Sequence, residues 1–228
     1  MIKDKKKFFL GLGMLIGFII LIIIIFLPVF QGQNGLEYMD ALYNSISKGS
    51  ANYIPHLREE AAAFREDPIA VTLKMDTEDR AQNTGPLFEK GGATVSLSGK
   101  ELSVEGDFGR ILENCINDSE LMYNNAGQDI MAKYGLEGRQ VLYNWYRALK
   151  GMNKVLKDQG KFKEADIAVL VLEKGVECSY NYYNIEPRKI SDSLGIMIFS
   201  LLFYVVYTVW YGFAFMFMFE GWGMNLEH

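Results

Sequence analysis

Residues Leu194–Phe219 read LGIMIFSLLFYVVYTVWYGFAFMFMF, 26 residues without a charge. A helix needs about 20 such residues to cross a bilayer. The run is therefore expected to be a transmembrane helix, assigned to 193–219. A second apolar run near the start, Phe8 to Leu27, is assigned with its flank to a first transmembrane helix over 8–30. Everything between the two then lies on one side of a membrane. The expected architecture is a membrane protein in which two transmembrane α-helices flank a helix-rich α+β extracytoplasmic domain. That domain is expected to combine a small antiparallel sheet with a long helical hairpin.

Charge sets the orientation. Lys3, Lys5, Lys6 and Lys7 precede the first run, which the positive-inside rule reads as a cytoplasmic segment, 1–7. Arg188 and Lys189 before the second run form the weaker group. The domain, 31–192, is then extracytoplasmic, and 220–228 is a short cytoplasmic tail too small to hold a further domain. The first run is too long for the apolar region of a cleaved signal peptide, and Val29-Phe30-Gln31 is not a small-residue cleavage site. An uncleaved signal anchor is expected, in a bacterial inner membrane with the domain in the periplasm. Leu226-Glu227-His228 also reads as the remnant of a tag.

Between residues 31 and 192 there are 19 Lys/Arg and 25 Asp/Glu, a net −6. The acidic excess lies in 31–130, with 8 basic and 17 acidic groups, while 131–192 has 11 and 8. A net acidic domain lacks the basic footprint that nucleic acid requires.

Periodicity gives the elements. Residues 36–130 read as a mixed helix and strand part, and 131–186 as a helical hairpin. Leu36, Met39, Tyr43 and Ile46 have helical spacing, and a second helix is expected from about Pro55 to Arg65. Ile69, Val71, Leu73 and Met75 alternate as in a strand. Asp76 or Thr77 can cap a short helix that Gly85-Pro86 is expected to end. In Ala93–Glu105, a two-residue turn at Gly99-Lys100 pairs Leu97 with Leu102 and Val95 with Val104. Glycine in the first central position suits a type II′ turn. With residues 69–75 this hairpin makes three strands.

Asp107 caps a helix whose stripe is Phe108, Ile111, Leu112, Cys115, Ile116 and Met122. Val141, Trp145, Ala148, Met152 and Val155 mark the outgoing arm of the hairpin, ended near Gly160. Phe162, Ala165, Val169, Leu172, Val176 and Tyr183 mark the return arm, ended by Pro187. The spacing does not fit a tetratricopeptide unit, and no second copy follows. The return arm has a second apolar line, Val171, Gly175, Cys178 and Tyr182, so it is expected to be buried on two sides.

Catalytic chemistry has little to work with. The histidines are His56, beside Pro55 at a helix start, and His228. No Cys-x-x-Cys, His-Glu-x-x-His or glycine-rich phosphate loop is present. Asp76, Glu78 and Asp79 cluster, but acidic residues are ordinary in a first helical turn, and a calcium loop's spacing is missing. No catalytic, cofactor or metal residue is assigned. Cys115 and Cys178 both fall in the extracytoplasmic domain. They form either a disulfide between two helices or two separate buried thiols.

Gly13 and Gly17 make a small-x-x-x-small pair suited to close helix packing in lipid. In the aromatic second span, Trp210 and Tyr211 lie deep and need partners for their polar tips. Its rings face lipid, or they pack against another protein, a quinone or lipid. These features favour a non-catalytic accessory or scaffolding subunit of a multi-subunit inner-membrane complex, with other membrane protein subunits and lipid as partners. The alternative is an extracytoplasmic ligand-sensing subunit that signals through a partner protein. No enzyme activity, cofactor or nucleic-acid partner is expected.

Overall fold

The computed structural model describes residues 2–30 and 32–224. Gln31, taken above as a domain start, and the Leu226-Glu227-His228 tail lie outside the described residues. Two units divide the chain: Met1–Ser50 with Pro187–His228, and Ala51–Glu186.

The first unit holds the two apolar helices. Asp4 starts α1 (Lys5–Phe26) by accepting from the amides of Lys6 and Lys7. Glu37 and Asn34 cap α2 (Gly35–Ser50) reciprocally, each side chain accepting from the other's backbone amide. The final helix is α10 (Ile190–Trp222), and Gly223 ends it in a left-handed conformation. At 1.5 Å per residue α1 is about 33 Å long and α10 about 50 Å, so both are long enough, and apolar enough, to cross a membrane. Leu27 to Phe30, included in the expected first span, lie beyond the end of α1.

α1 and α10 pack antiparallel. The Lys3 and Asp4 amides donate to the Gly221 carbonyl, and Lys7 Nζ lies 2.7 Å from Glu220 Oε2. Along the pair, Phe8 meets Trp222, Gly11 meets Ala214 and Met218, and Phe18 meets Tyr207 and Tyr211. This seam on α1 steps by three and then seven residues, a coiled-coil rhythm. A Cβ on Gly11 would sit 2.6 Å from the Ala214 carbonyl oxygen and 2.7 Å from the Met218 nitrogen, so the backbones approach only because this residue has no side chain.

The second unit is the α+β body. It contains α3 (Ile54–Ala62), β1 (Pro68–Lys74), α4 (Glu78–Lys90), β2 (Thr94–Ser98), β3 (Glu101–Asp107), α5 (Phe108–Tyr123), α6 (Gly127–Tyr134) and α7 (Gly138–Asp158). A return arm follows: α8 (Phe162–Leu170), a π-helical segment Val171–Glu177, and α9 (Cys178–Tyr182). The three strands form an antiparallel sheet in the order β1-β3-β2. Its hairpin has the expected register, Val95 with Val104 and Leu97 with Leu102. Gly99 takes φ 58°, while Lys100 stays at negative φ, the pattern of a type II′ turn.

Ile69, Val71, Leu73, Leu102 and Val104 turn one face of the sheet to the core. There they share a cluster with Leu87 and Phe88 of α4, Ile111 and Leu112 of α5, and Trp145 and Met152 of α7. Phe88 meets Trp145 edge to face at 5.3 Å.

Two elements differ from expectation. α4 does not stop at Gly85-Pro86 but runs through to Lys90. Pro86 sits on the exposed side, where water can take the carbonyl it leaves unbonded, while Leu87 and Phe88 behind it are fully buried. The return arm is not one regular helix: Val171–Glu177 wind as a π-helix, and there Val171, Leu172, Gly175 and Val176 are all buried.

Candidate functional site

Two polar arrangements stand out in the body, one buried and one open. The buried one centres on Asp118, which is wholly inaccessible. α5 places Asn114 and Asp118 one turn apart, on the same side as Cys115 and Ile111. α6 supplies Lys133 and Tyr134, and α7 supplies Trp145. Lys133 Nζ donates to Asp118 Oδ1 at 2.6 Å. Tyr134 and Trp145 Nε1 donate to Oδ2 at 2.7 and 2.8 Å. Asn114 Nδ2 donates to the Leu87 carbonyl and the Tyr134 hydroxyl, and its Oδ1 accepts from Lys133.

A buried carboxylate is costly unless paired and hydrogen-bonded, and this one has a cation and two neutral donors. Burial and the Asp118 charge push the Tyr134 hydroxyl well above the ordinary tyrosine range. Every member is engaged with another, and the arrangement ties α5, α6 and α7 together. It holds the body in one packing, with Asp118 closed to solvent and Lys133 and Tyr134 partly exposed.

The open arrangement lies along α7. A groove of about 620 Å³ runs beside it, lined by Leu142, Tyr143, Tyr146, Arg147, Val176, Glu177, Tyr180 and Asn181. Leu142 and Val176 are buried, while Tyr143 and Tyr180 are exposed. Cations lie over the rings: Arg80 over Tyr143 at 4.9 Å, Lys150 over Tyr146 at 5.5 Å, and Arg139 over Tyr180 at 5.7 Å. The volume falls within the range of about 300–1,000 Å³ common to ligand sites.

The residues singled out in the sequence fall as follows. Cys115 and Cys178 are thiols, with no disulfide between them. The staple is absent because the two face different surroundings. Cys115 is fully buried on α5, with its carbonyl accepting from the Ser119 hydroxyl, whereas Cys178 Sγ lies 3.6 Å from the Ala51 carbonyl oxygen. Burial raises the Cys115 thiol well above its ordinary range, with a smaller push from Asp118.

His56 is exposed on α3. Asp76 bonds the guanidinium groups of both Arg80 and Arg147, while Glu78 and Asp79 occupy the first turn of α4. In the first unit, Trp210 Nε1 donates to the Met14 carbonyl at 3.0 Å, and Tyr211 stacks at a tilt on Phe18. Gly17 lies beneath the Trp210 ring, where a Cβ would be 3.2 Å away. Gly13 faces open space, with nothing within 4 Å of a Cβ position. Gly11 and Gly221, where the two helix backbones come close along the seam, were given no role by the spacing argument.

Sequence reasoning also missed the Asp118 cluster and the tyrosine groove. Asn114 and Asp118 stand four residues apart within an otherwise apolar stripe, and that was a readable signal. No family model matches the chain, and neither does a curated protein or a solved structure.

Proposed function

We propose that this chain is a non-catalytic, membrane-inserted subunit that helps to hold a larger inner-membrane assembly together. The observation that carries the reading is the exposed apolar surface of α1 and α10. Phe199, Leu201, Leu202, Val205 and Val206 of α10 are each more than half exposed, as are Phe9, Ile20 and Ile23 of α1. An apolar surface of this extent is not tolerated in water and belongs against lipid or another helix.

Three polar side chains of α10 bond carbonyls within the helix pair. The Thr208 hydroxyl donates to the Tyr204 carbonyl, the Ser200 hydroxyl donates to Met197 O, and Trp210 donates to Met14 O. The lysines at positions 3 to 7 support a cytoplasmic start for α1 and a periplasmic body. The body supplies a partner surface in its tyrosine groove, while its buried polar cluster serves packing.

The test is the mass of the chain released from its native membranes in mild detergent, measured by light scattering. A particle heavier than the chain and its detergent, with defined co-purifying proteins, is expected. A monodisperse monomer would overturn the reading.

A further inference from the structure

We propose that the groove beside α7 is a docking site for an acidic peptide segment of a partner protein, anchored by apolar side chains. The proposal rests on the subunit reading and names the chemistry of the partner.

Charge is the first observation. The body, 51–186, has 16 Lys/Arg and 22 Asp/Glu, yet α7 alone carries Arg139, Arg147, Lys150, Lys154 and Lys157 against the single acid Asp158. Arg139, Tyr143, Tyr146, Lys150, Lys154 and Lys157 recur every three or four residues and so share one helix face, about 27 Å long at 1.5 Å per residue. Among the described residues Arg139, Lys150, Lys154 and Lys157 make no ion pair, as is also true of Lys74, Lys90, Lys100, Lys163 and Lys174; the four on α7 differ in falling together on one helix face. Two of them, Arg139 and Lys150, are held over tyrosine rings of the groove, which orient a charge without cancelling it.

Shape is the second observation. Leu142 and Val176 give the groove an apolar floor, and Tyr143 and Tyr180 give it exposed aromatic walls. Tyrosine and arginine are the residues that most often anchor protein partners. A flat layer of anionic headgroups would use the cations and leave the floor and walls idle. A continuous polyanion such as nucleic acid would meet Asp76 and Glu177 at the groove, and the net negative charge of the body around it. A peptide whose carboxylates are spaced by apolar residues carries fewer charges past Asp76 and Glu177 and sets its apolar side chains on the floor and walls. An extended chain advances about 3.3 Å per residue, so about eight residues cover the face.

The test uses the full chain in phosphatidylcholine nanodiscs and fluorescence anisotropy of a labelled peptide of about eight alternating glutamate and leucine residues. The expected result is saturable binding that weakens as NaCl rises from about 0.05 M to about 0.5 M. A lysine-leucine peptide is expected not to bind, and a glutamate-serine peptide to bind at least about tenfold more weakly. Arg139→Glu with Lys150→Glu is expected to lower affinity by more than about tenfold, and Tyr143→Ala with Tyr180→Ala by about tenfold. These positions are on the surface, and an unchanged circular dichroism melt verifies that each variant folds; Lys154→Glu with Lys157→Glu provides an independent charge variant.

Absence of binding, equal binding of the lysine peptide, or binding indifferent to all three variants would overturn the proposal. So would soluble dihexanoylphosphatidylglycerol binding the groove in place of the peptide, which would make it a lipid-headgroup site. A chain held in a heavy native complex that ignores the peptide would sink the docking site alone. A monomer that binds the peptide would sink the subunit reading alone.

Discussion

The two units solve opposite problems with the same amino acids. In 51–186 the large apolar side chains point inward, and the most buried charge, Asp118, is enclosed by Lys133, Tyr134 and Trp145. In α1 and α10 the apolar side chains point outward, while the seam between the helices holds small and aromatic residues such as Gly11, Phe18 and Ala214. Water makes the first arrangement stable, because burying apolar area is what folding gains. It would make the second unstable. On the membrane reading proposed above, the difference lies in the solvent each unit is built for, and each unit has a substitution that separates the two cases.

The largest effect is expected in the body. Asp118→Ala leaves Lys133 beside a buried, unpaired hole, and loss of one member of such a pair costs about 3–5 kcal/mol. The thermal or urea melt of the full chain should reveal it. Asp118→Asn should cost less, because one side-chain oxygen still accepts, and adding Lys133→Met to Asp118→Ala should recover part of the loss. An Asp118→Ala melt within about 0.5 kcal/mol of the parent would show that the cluster does not hold the packing.

Next comes a matched pair at exposed apolar sites. Val205, 56% exposed on α10, and Met131, 42% exposed on α6, look alike by exposure alone. Val205→Asp is expected to cost about 2.5–3.5 kcal/mol of membrane insertion, whereas Met131→Asp should stay within about 0.5 kcal/mol. Carbonate extraction and body melting, run on both variants, make the comparison. Equal behaviour would erase the contrast between the units.

How much of this was legible in the sequence depends on the period available to read. Alternation in Ile69–Leu73 and the Gly99-Lys100 turn fixed the sheet, because only one register puts Val71, Val104 and Val95 on a common face. In α1 every position from Leu15 onward is apolar apart from Gly17, so no period distinguishes the face that packs. The small-residue rule then pointed to Gly13 and Gly17; Gly17 lies under Trp210, while the backbones come close at Gly11 and at Gly221. α6 was missed because Gly127–Tyr134 is only eight residues long, too short for periodicity to accumulate. The two apolar lines of the return arm were legible, but the π-helical segment Val171–Glu177 was not, because its apolar residues recur at spacings of three and four that an α-helix would also give.

The seam of α1 and α10 offers a smaller, sharper test. Gly11→Ile must move a helix backbone and is expected to cost about 1–3 kcal/mol of pairing, whereas Gly13→Ile should be silent. Disulfide trapping between cysteines placed at Phe8 and Trp222, whose rings are 6.0 Å apart, reports the pairing. Equal loss from both variants would contradict the seam.

The smallest effect concerns pH. Cys115 and Tyr134 have folded-state values raised above the ordinary 9.0 and 10.0. Their neutral forms are therefore favoured by folding. That stability is present in full below the ordinary values and is lost as pH rises through them, because the unfolded chain ionises first. The melting temperature should stay level up to about pH 9 and fall above it, by less in Cys115→Ala. Iodoacetamide should leave Cys115 unmodified until the body unfolds.

The contrast between the units is tested most directly by photolabelling the chain in its native membranes with a lipid-soluble carbene reagent, then mapping the labelled peptides by mass spectrometry. Label is expected on the outward faces of α1 and α10, at Ile20, Ile23, Leu202 and Val206, and not in 51–186. Heavy labelling of the body, or α1 and α10 as unlabelled as the body, would contradict a membrane location for the helix pair.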